Sequence, residues 1–135
     1  MKKTWQQKID GAKPPEVFIT ERAKLGVAEG AKMLISSPAE IRETLFQLER
    51  GTSITKAELG QRLAARHGAD VTCPLTTGIF LRIVAEAALD EIDAGAKLES
   101  VAPFWRVVGP KDPAAKKIRC GPEWIAERRW VEGIS

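Results

Sequence analysis

The sequence predicts a mostly α-helical domain with a small β component, in which a helix-turn-helix follows a short β-hairpin. Three observations support this fold class. Capping motifs begin successive helices, only a few residues separate the first two of them, and two short apolar stretches precede them. With 135 residues, 44% of them hydrophobic and 29% charged, the chain has the size and composition of one globular domain.

The N-terminal part divides into an arm and a hairpin. Residues 1–15 are polar and charged and end in two prolines, so we expect a flexible basic arm. Residues 16–135 are expected to form a single domain, beginning with a β-hairpin over residues 16–36. Its strands are predicted at 17–20 and 31–35, where the residues alternate or are apolar, and Gly26 and Gly30 flank the turn.

The first two helices begin at capping boxes. Residues 37–40 (Ser-Pro-Ala-Glu) provide an N-cap serine, a proline at the first helical position and a glutamate three residues after the cap. Apolar residues then recur at spacings of four and three, and Gly51 ends the helix. Residues 55–58 (Thr-Lys-Ala-Glu) begin the second helix, which ends at Gly68, and residues 69–75 are predicted as a loop.

The third helix is unusually apolar. Thr76 or Thr77 is the predicted cap, and the helix extends to about residue 94, with Gly95 just beyond its end. A narrow polar edge includes Arg82 and Glu86, which are four residues apart. We expect this helix to be mostly buried.

The C-terminal third contains an apolar segment and two shorter helices. Residues 103–109 (Pro-Phe-Trp-Arg-Val-Val-Gly) are predicted as a loop that enters a strand. Asp112 precedes a proline and is expected to cap a short basic turn. A final helix is predicted over residues 123–132, with Trp124 and Ile125, and Trp130 as a third candidate, facing inward.

Charge and cysteine content restrict the function. The net charge is +3, made of +3 in residues 1–24, −3 in residues 25–105 and +3 in residues 106–135. A basic face is possible if the two ends fold together, but the acidic middle weakens the case for tight binding to a polyanion. Cys73, Cys120 and His67 do not form a zinc-binding set, so we expect no metal and no cofactor. The chain lacks an apolar stretch of about 18 residues and an apolar segment after its basic start, so we expect a cytoplasmic protein.

Several segments in order resemble a known family. They are 55–60 (Thr-Lys-Ala-Glu-Leu-Gly), 81–89 with Leu-Arg-Ile-Val and Ala-Ala-Leu, 103–109, and 127–130 (Glu-Arg-Arg-Trp). Together they resemble the DNA-binding domain of the O6-alkylguanine-DNA alkyltransferases and of the alkyltransferase-like proteins. The resemblance covers roughly residues 38–132. It implies a winged-helix domain over residues 37–135 that binds double-stranded DNA, with repair proteins as further partners.

The departures from the family pattern bear on its chemistry. The family's alkyl-accepting cysteine corresponds to Phe104 and its histidine to Trp105. A phenyl ring accepts no alkyl group by displacement and an indole is not a base at neutral pH, so we expect no enzyme activity. Cys73 and Cys120 lie outside the matching segment; we interpret them as ordinary thiols, with alkyl acceptance as the alternative. The family's Gly-Tyr-x-Gly-Gly pocket loop has no counterpart here.

The resemblance and the charge pattern together suggest site residues. Arg82 matches the arginine that enters the duplex in the family; the alternative is an exposed ion pair with Glu86. Phe104 and Trp105 are candidate pocket residues that stack on a base; the alternative is core packing. Arg106 matches an arginine that holds the active loop together in the family. The full set of candidate DNA-binding residues is Lys56, Thr76, Thr77, Arg82, Arg106, Lys116, Lys117 and Arg119.

Two functions remain open at this stage. The first is a non-enzymatic protein that binds duplex DNA and senses alkylated guanine without repairing it. The alternative is a protein-interaction or dimerisation module on the same scaffold, in which the apolar third helix and the tryptophans contact a partner. The sequence leaves the oligomeric state open.

Overall fold

The computed structural model describes residues 2–23 and 27–134, and it has a mixed α/β fold that is about 52% helical. The helices are α1 Trp5–Asp10, α2 Pro38–Phe46, α3 Lys56–Arg66, α4 Pro74–Asp93, α5 Pro113–Lys117 and α6 Gly121–Val131. The strands are β1 Glu16–Ile19, β2 Lys32–Ile35 and β3 Val71–Thr72. Two 3-10 turns, Leu98–Ser100 and Phe104–Arg106, lie between α4 and α5. The predominance of helix with a small sheet agrees with the predicted fold class.

The described strands form one sheet in the order β1-β2-β3. β1 and β2 are antiparallel, with Phe18 opposite Met33, which confirms the predicted hairpin. Gly30 has a φ of +81° at the turn, whereas Gly26 lies outside the described residues. β3 pairs in parallel with β2, with Met33 opposite Val71, and α4 begins at Pro74, so the prediction of a loop over 69–75 is wrong at four residues, two in β3 and two in α4. A two-residue strand has no alternation to detect, and only its pairing with β2 defines it.

The predicted starts of α2 and α3 are confirmed. The Thr55 hydroxyl accepts from the backbone N–H of Glu58, and the Glu58 carboxylate accepts from the N–H of Thr55, which completes the capping box. The Ser37 hydroxyl accepts from the N–H of Glu40. The Glu40 carboxylate accepts instead from the Ser36 hydroxyl, and it also pairs with His67, the C-cap of α3, so this box is only half formed.

The predicted cap of α4 is wrong. The helix begins at Pro74 with Cys73 as its N-cap, so Thr76 and Thr77 lie inside its first turn. A proline is well suited to the first helical position, where its missing N–H costs nothing. The predicted C-terminus is confirmed, because the helix ends at Asp93 and Gly95 follows with a φ of +102°.

The segment predicted as a flexible basic arm, residues 1–15, contains a helix among its described residues. Residues 5–10 form α1, whose Thr4 and Gln7 make both hydrogen bonds of a capping box. Ile9 is 4% exposed, and α1 packs mainly on α4 and also on α2. The prediction failed because a six-residue helix with one buried apolar side chain shows no periodicity.

The C-terminal predictions are partly wrong. The segment predicted to enter a strand, residues 103–109, forms the 3-10 turn Phe104–Arg106 instead. Asp112 is the N-cap of α5, and Ile125 of α6 is buried, as expected. Trp130 is 80% exposed and does not face inward. Among the described residues, no helix combines the length and apolar character that a membrane span requires.

The main core lies between α2, α3, α4 and the segment from Val101 to Ile125. Its largest fully buried side chains include Phe104, Ile41, Leu45 and Leu59. A smaller cluster of Val27, Met33 and Cys73 lies beneath the sheet. Leu34 of β2 is part of the main core, so the sheet packs directly against the helices.

Candidate functional site

Phe104 and Trp105 belong to the core and do not line a pocket. Phe104 is 0% exposed and Trp105 is 3% exposed. The ring of Phe104 stacks on that of Trp124, with centroids 5.6 Å apart and planes 9° from parallel. Trp105 meets Phe104 edge to face at 5.4 Å. The prediction that these residues form a base-stacking pocket is therefore wrong, and the core-packing alternative describes them.

Arg106 is held within the protein. Its guanidinium donates to both carboxylate oxygens of Glu132, at 2.8 and 3.0 Å, and to the backbone carbonyl of Leu48 at 2.8 Å. Its side chain is 14% exposed. This arrangement does not favour the predicted DNA contact at Arg106, because the guanidinium connects the 3-10 turn to the segment after α2 and to the C-cap of α6.

Glu132 is the centre of this network. Besides Arg106, it accepts from the indole N–H of Trp105 at 2.7 Å and from the backbone N–H of Gly51 at 3.1 Å. Burial acts to raise the pKa of Glu132, but the hydrogen bonds from Arg106, Trp105 and Gly51 outweigh it and lower the pKa to about 2. The carboxylate is therefore ionised throughout the physiological range.

Arg119 is neutralised by acidic residues of α4. Its guanidinium lies 3.0 Å from the buried carboxylate of Glu86 and 2.9 Å from the carboxylates of Asp90 and Asp93. Burial acts to lower the pKa of Arg119, but these three acids together raise it above the ordinary value. A cation surrounded by three carboxylates is a poor anion ligand, so this arrangement does not favour the predicted phosphate contact at Arg119.

Thr76 and Thr77 do not present hydroxyls to an anion. Thr77 is 2% exposed, and its hydroxyl donates to the carbonyl of Cys73 at 2.7 Å. The hydroxyl of the half-buried Thr76 donates to the same carbonyl at 3.4 Å. Both residues therefore stabilise the first turn of α4, which does not favour their predicted contact with phosphate.

Three of the four remaining candidate residues line one groove. A groove of about 910 Å³ is lined by α1, the N-terminal parts of α3 and α4, α5, and residues 107–109. Lys56, Arg82 and Lys117, which sequence analysis selected from separate segments, all line it. Lys116 is exposed but lies outside its lining.

The groove is predominantly basic. Among the described residues, five cationic side chains and two acidic ones line it: Lys8, Lys56, Arg82, Lys117 and Arg129 against Glu58 and Asp112. Lys8, Trp5 and Arg129 were not among the predicted site residues, although Arg129 belongs to a C-terminal run of basic residues. The Thr4-x-x-Gln7 capping box was the available signal for α1. Leu75 and Ile79 of α4 add apolar surface, at 58% and 51% exposure.

Local structure holds two of these cations in place. A Cβ on Gly78 would lie 3.0 Å from Nζ of Lys56, so the glycine lets this side chain lie against α4. Arg82 is 47% exposed, with Nε 3.6 Å from the buried carboxylate of Glu86 and its guanidinium carbon 5.6 Å from the ring centroid of Trp5. The predicted pair with Glu86 is thus present, and it leaves about half of Arg82 accessible.

The thiols lie in environments that disfavour reactivity. Burial, together with the nearby charge of Glu86, raises the pKa of the Cys120 thiol to about 11. Cys73 is 5% exposed. Within residues 2–23 and 27–134, no group of three or more His, Cys, Asp or Glu side chains is placed to hold a metal ion.

Known proteins give no independent guide to this site. The chain matches no protein-family model, no curated protein and no solved structure. The assignment of function therefore rests on the groove.

Proposed function

We propose that this protein binds double-stranded DNA without modifying it, through the basic groove, and that its fold is a winged helix-turn-helix similar to that of the alkyltransferase-like proteins. The observation that carries the proposal is the convergence of five cations from five different helices on one concave surface. Clustered cations in a cleft focus a positive potential and attract a polyanion. Phosphate contacts supply most of the affinity of such binding, which is not specific for sequence.

The arrangement of helices supports the winged-helix part of the proposal. α3 and α4 follow one another with only residues 67–73 between them, and β3 in that connection pairs with β2. The N-terminal part of α4, which would be the recognition helix, contributes Arg82 to the groove. The adjoining sheet corresponds to a wing.

The proposed binding involves no alkyl transfer. The position of the family's acceptor cysteine is Phe104, which is fully buried. A thiol with a pKa of about 11 has little thiolate at neutral pH, which argues against Cys120 as a substitute. Incubation with O6-benzylguanine followed by intact-mass measurement tests this, because a benzyl adduct on either cysteine would contradict it.

Binding is proposed to be general for duplex DNA, with no selection for alkylated guanine. Phe104 and Trp105 fill the position of the family's pocket with core packing. A duplex with one O6-methylguanine is the appropriate comparison. A tenfold preference for it over the unmodified duplex would establish damage sensing through the groove instead.

Fluorescence anisotropy with a labelled duplex tests the central proposal. If Lys56, Arg82 and Lys117 alone contact phosphates, the slope of log K against log salt is about −2.7, at about −0.9 per contact. Lys56→Gln and Arg82→Gln should each make the slope less negative by about 0.9. Lys97→Gln is the matched control, because this lysine is exposed and outside the groove. Absence of binding at micromolar protein and low salt, or an equal effect of the control, would refute the proposal.

The alternative function, self-association, has one specific observation in its favour. Trp130 and Val131 are adjacent in the last turn of α6 and are 80% and 46% exposed, so they offer apolar surface to a partner. In this alternative, two copies of the chain meet through α6. A sizing column would show a dimer that Trp130→Ser dissociates, while duplex DNA produces no anisotropy change.

A further inference from the structure

α1 is held against the body of the protein by its apolar side chains. Ile9 is 4% exposed, and the helix packs on α4 and α2. An isolated helix of six residues is not stable in water, so α1 depends on this docking. The groove has α1 as one of its walls only while α1 is docked.

Trp5 connects α1 to the central cation of the groove. The guanidinium carbon of Arg82 lies 5.6 Å from the centroid of the Trp5 ring, within the range of a cation–π interaction. The other partner of Arg82, Glu86, is buried on α4. The ring and the carboxylate together restrict an otherwise flexible side chain that is 47% exposed.

Lys8 contributes a charge to the same surface. It is exposed, it lines the groove, and its Nζ lies 4.3 Å from the Trp5 centroid. Docking α1 therefore brings Lys8 into a surface that already carries Lys56, Arg82 and Lys117, with repulsion between like charges. A bound polyanion would relieve this repulsion. If α1 only covered the groove, acidic side chains on it would be more favourable than Lys8, because they would attract the cations of the groove.

We infer that α1 completes the DNA-binding groove: Lys8 makes a further phosphate contact, and Trp5 is a positioning residue that acts through Arg82. The inference rests on the proposed function and adds the N-terminal segment to it. It predicts different roles for two lysines of this segment: Lys8 lines the groove and contacts phosphate, whereas Lys13 lies outside the groove lining and does not.

The charge part is tested by Lys8→Gln against Lys13→Gln. Both substitutions remove one exposed cation from the N-terminal segment, so they change the net charge equally. For one lost phosphate contact, the fall in affinity between 50 and 200 mM salt should be about 3.5-fold smaller in Lys8→Gln than in the wild type. Lys13→Gln should match the wild type; equal effects of the two variants would overturn the inference.

The positioning part is tested by Trp5→Leu in a double-mutant cycle with Arg82→Ala. If Trp5 acts through Arg82, Trp5→Leu weakens binding in the wild-type background and has no effect once Arg82 is alanine. Ile9→Ala, which loosens α1 without changing any groove-lining side chain, should also weaken binding. Circular dichroism spectra that differ from the wild type by no more than the loss of the six-residue α1 establish that the body of the protein remains folded.

The outcomes distinguish this inference from the proposed function. If Trp5→Leu or Ile9→Ala tightens binding, α1 is a cover over the groove and the inference is wrong while DNA binding stands. If Arg82→Gln weakens binding but the α1 variants behave as the wild type, the inference alone fails. If the wild-type protein does not bind duplex DNA, both fail.

Discussion

The Glu132 carboxylate should contribute a large, pH-dependent share of the stability of this protein. Its pKa of about 2 lies below the ordinary value of 4.5, because it accepts hydrogen bonds from Arg106, Trp105 and Gly51. At about 1.4 kcal/mol per pH unit, this difference corresponds to about 3 kcal/mol of stability. A lowered pKa means that the stabilisation is fully present above pH 4.5 and is lost as the pH falls towards 2.

Urea unfolding of Glu132→Gln over a pH series measures this contribution. At pH 7 the free energy of unfolding should fall by about 3 kcal/mol, since the buried Arg106 loses its counter-charge. Glu127→Gln is the matched control: its side chain is 67% exposed, it lies 3.6 Å from Arg128, and its effect should be below about 0.5 kcal/mol.

The pH dependence of the difference decides whether charge is the cause. As the pH falls from 4.5 to 2, the wild-type carboxylate becomes protonated and resembles the glutamine of the variant. The gap between the two proteins should therefore shrink towards zero. A gap of about 3 kcal/mol that persists at pH 2 would refute the argument and assign the effect to packing alone.

Two further outcomes follow from burial. Phe104→Ala should lower the free energy of unfolding by about 3–5 kcal/mol in thermal or urea unfolding, because it removes a fully buried ring; Trp130→Ala, at 80% exposure, should change it by less than about 0.5 kcal/mol. In a Cys73→Ser background, Cys120 should react with iodoacetamide at pH 8 about a hundredfold more slowly than an unfolded-peptide thiol, since its pKa is about 11. Equal labelling rates would contradict the raised pKa.

Local signals in the sequence predicted the helices whose ends carry capping residues or a terminal glycine. The cap at Ser37 located the start of α2, and the capping box at Thr55 located the start of α3. Gly95 located the end of α4. These signals succeed because caps satisfy backbone groups within a few residues, whatever the tertiary structure. β3 has no such signal, because its two residues are defined only by pairing with β2.

The side-chain roles were harder to predict, because they depend on which elements pack together. The sequence of residues 103–109 could not show that Phe104 stacks on Trp124, twenty residues later. Arg106 and Arg82 are both arginines in matching motifs, yet one is 14% exposed and the other 47% exposed. Only the fold separates the arginine that holds the core together from the one that faces the groove.

The acidic middle segment is the sharpest example of this dependence. Its net charge of −3 argued against a polyanion partner, but its carboxylates are mostly engaged within the protein. Glu86, Asp90 and Asp93 surround Arg119, and Glu91 pairs with Arg42 at 3.1 Å. Those acids do not line the groove. The groove is lined instead by Lys8 from one end of the chain, by Lys117 and Arg129 from the other end, and by Lys56 and Arg82. The charge that a partner meets is set by this folding of both ends onto α4, so the net charge of a segment is a poor guide to the potential at its surface.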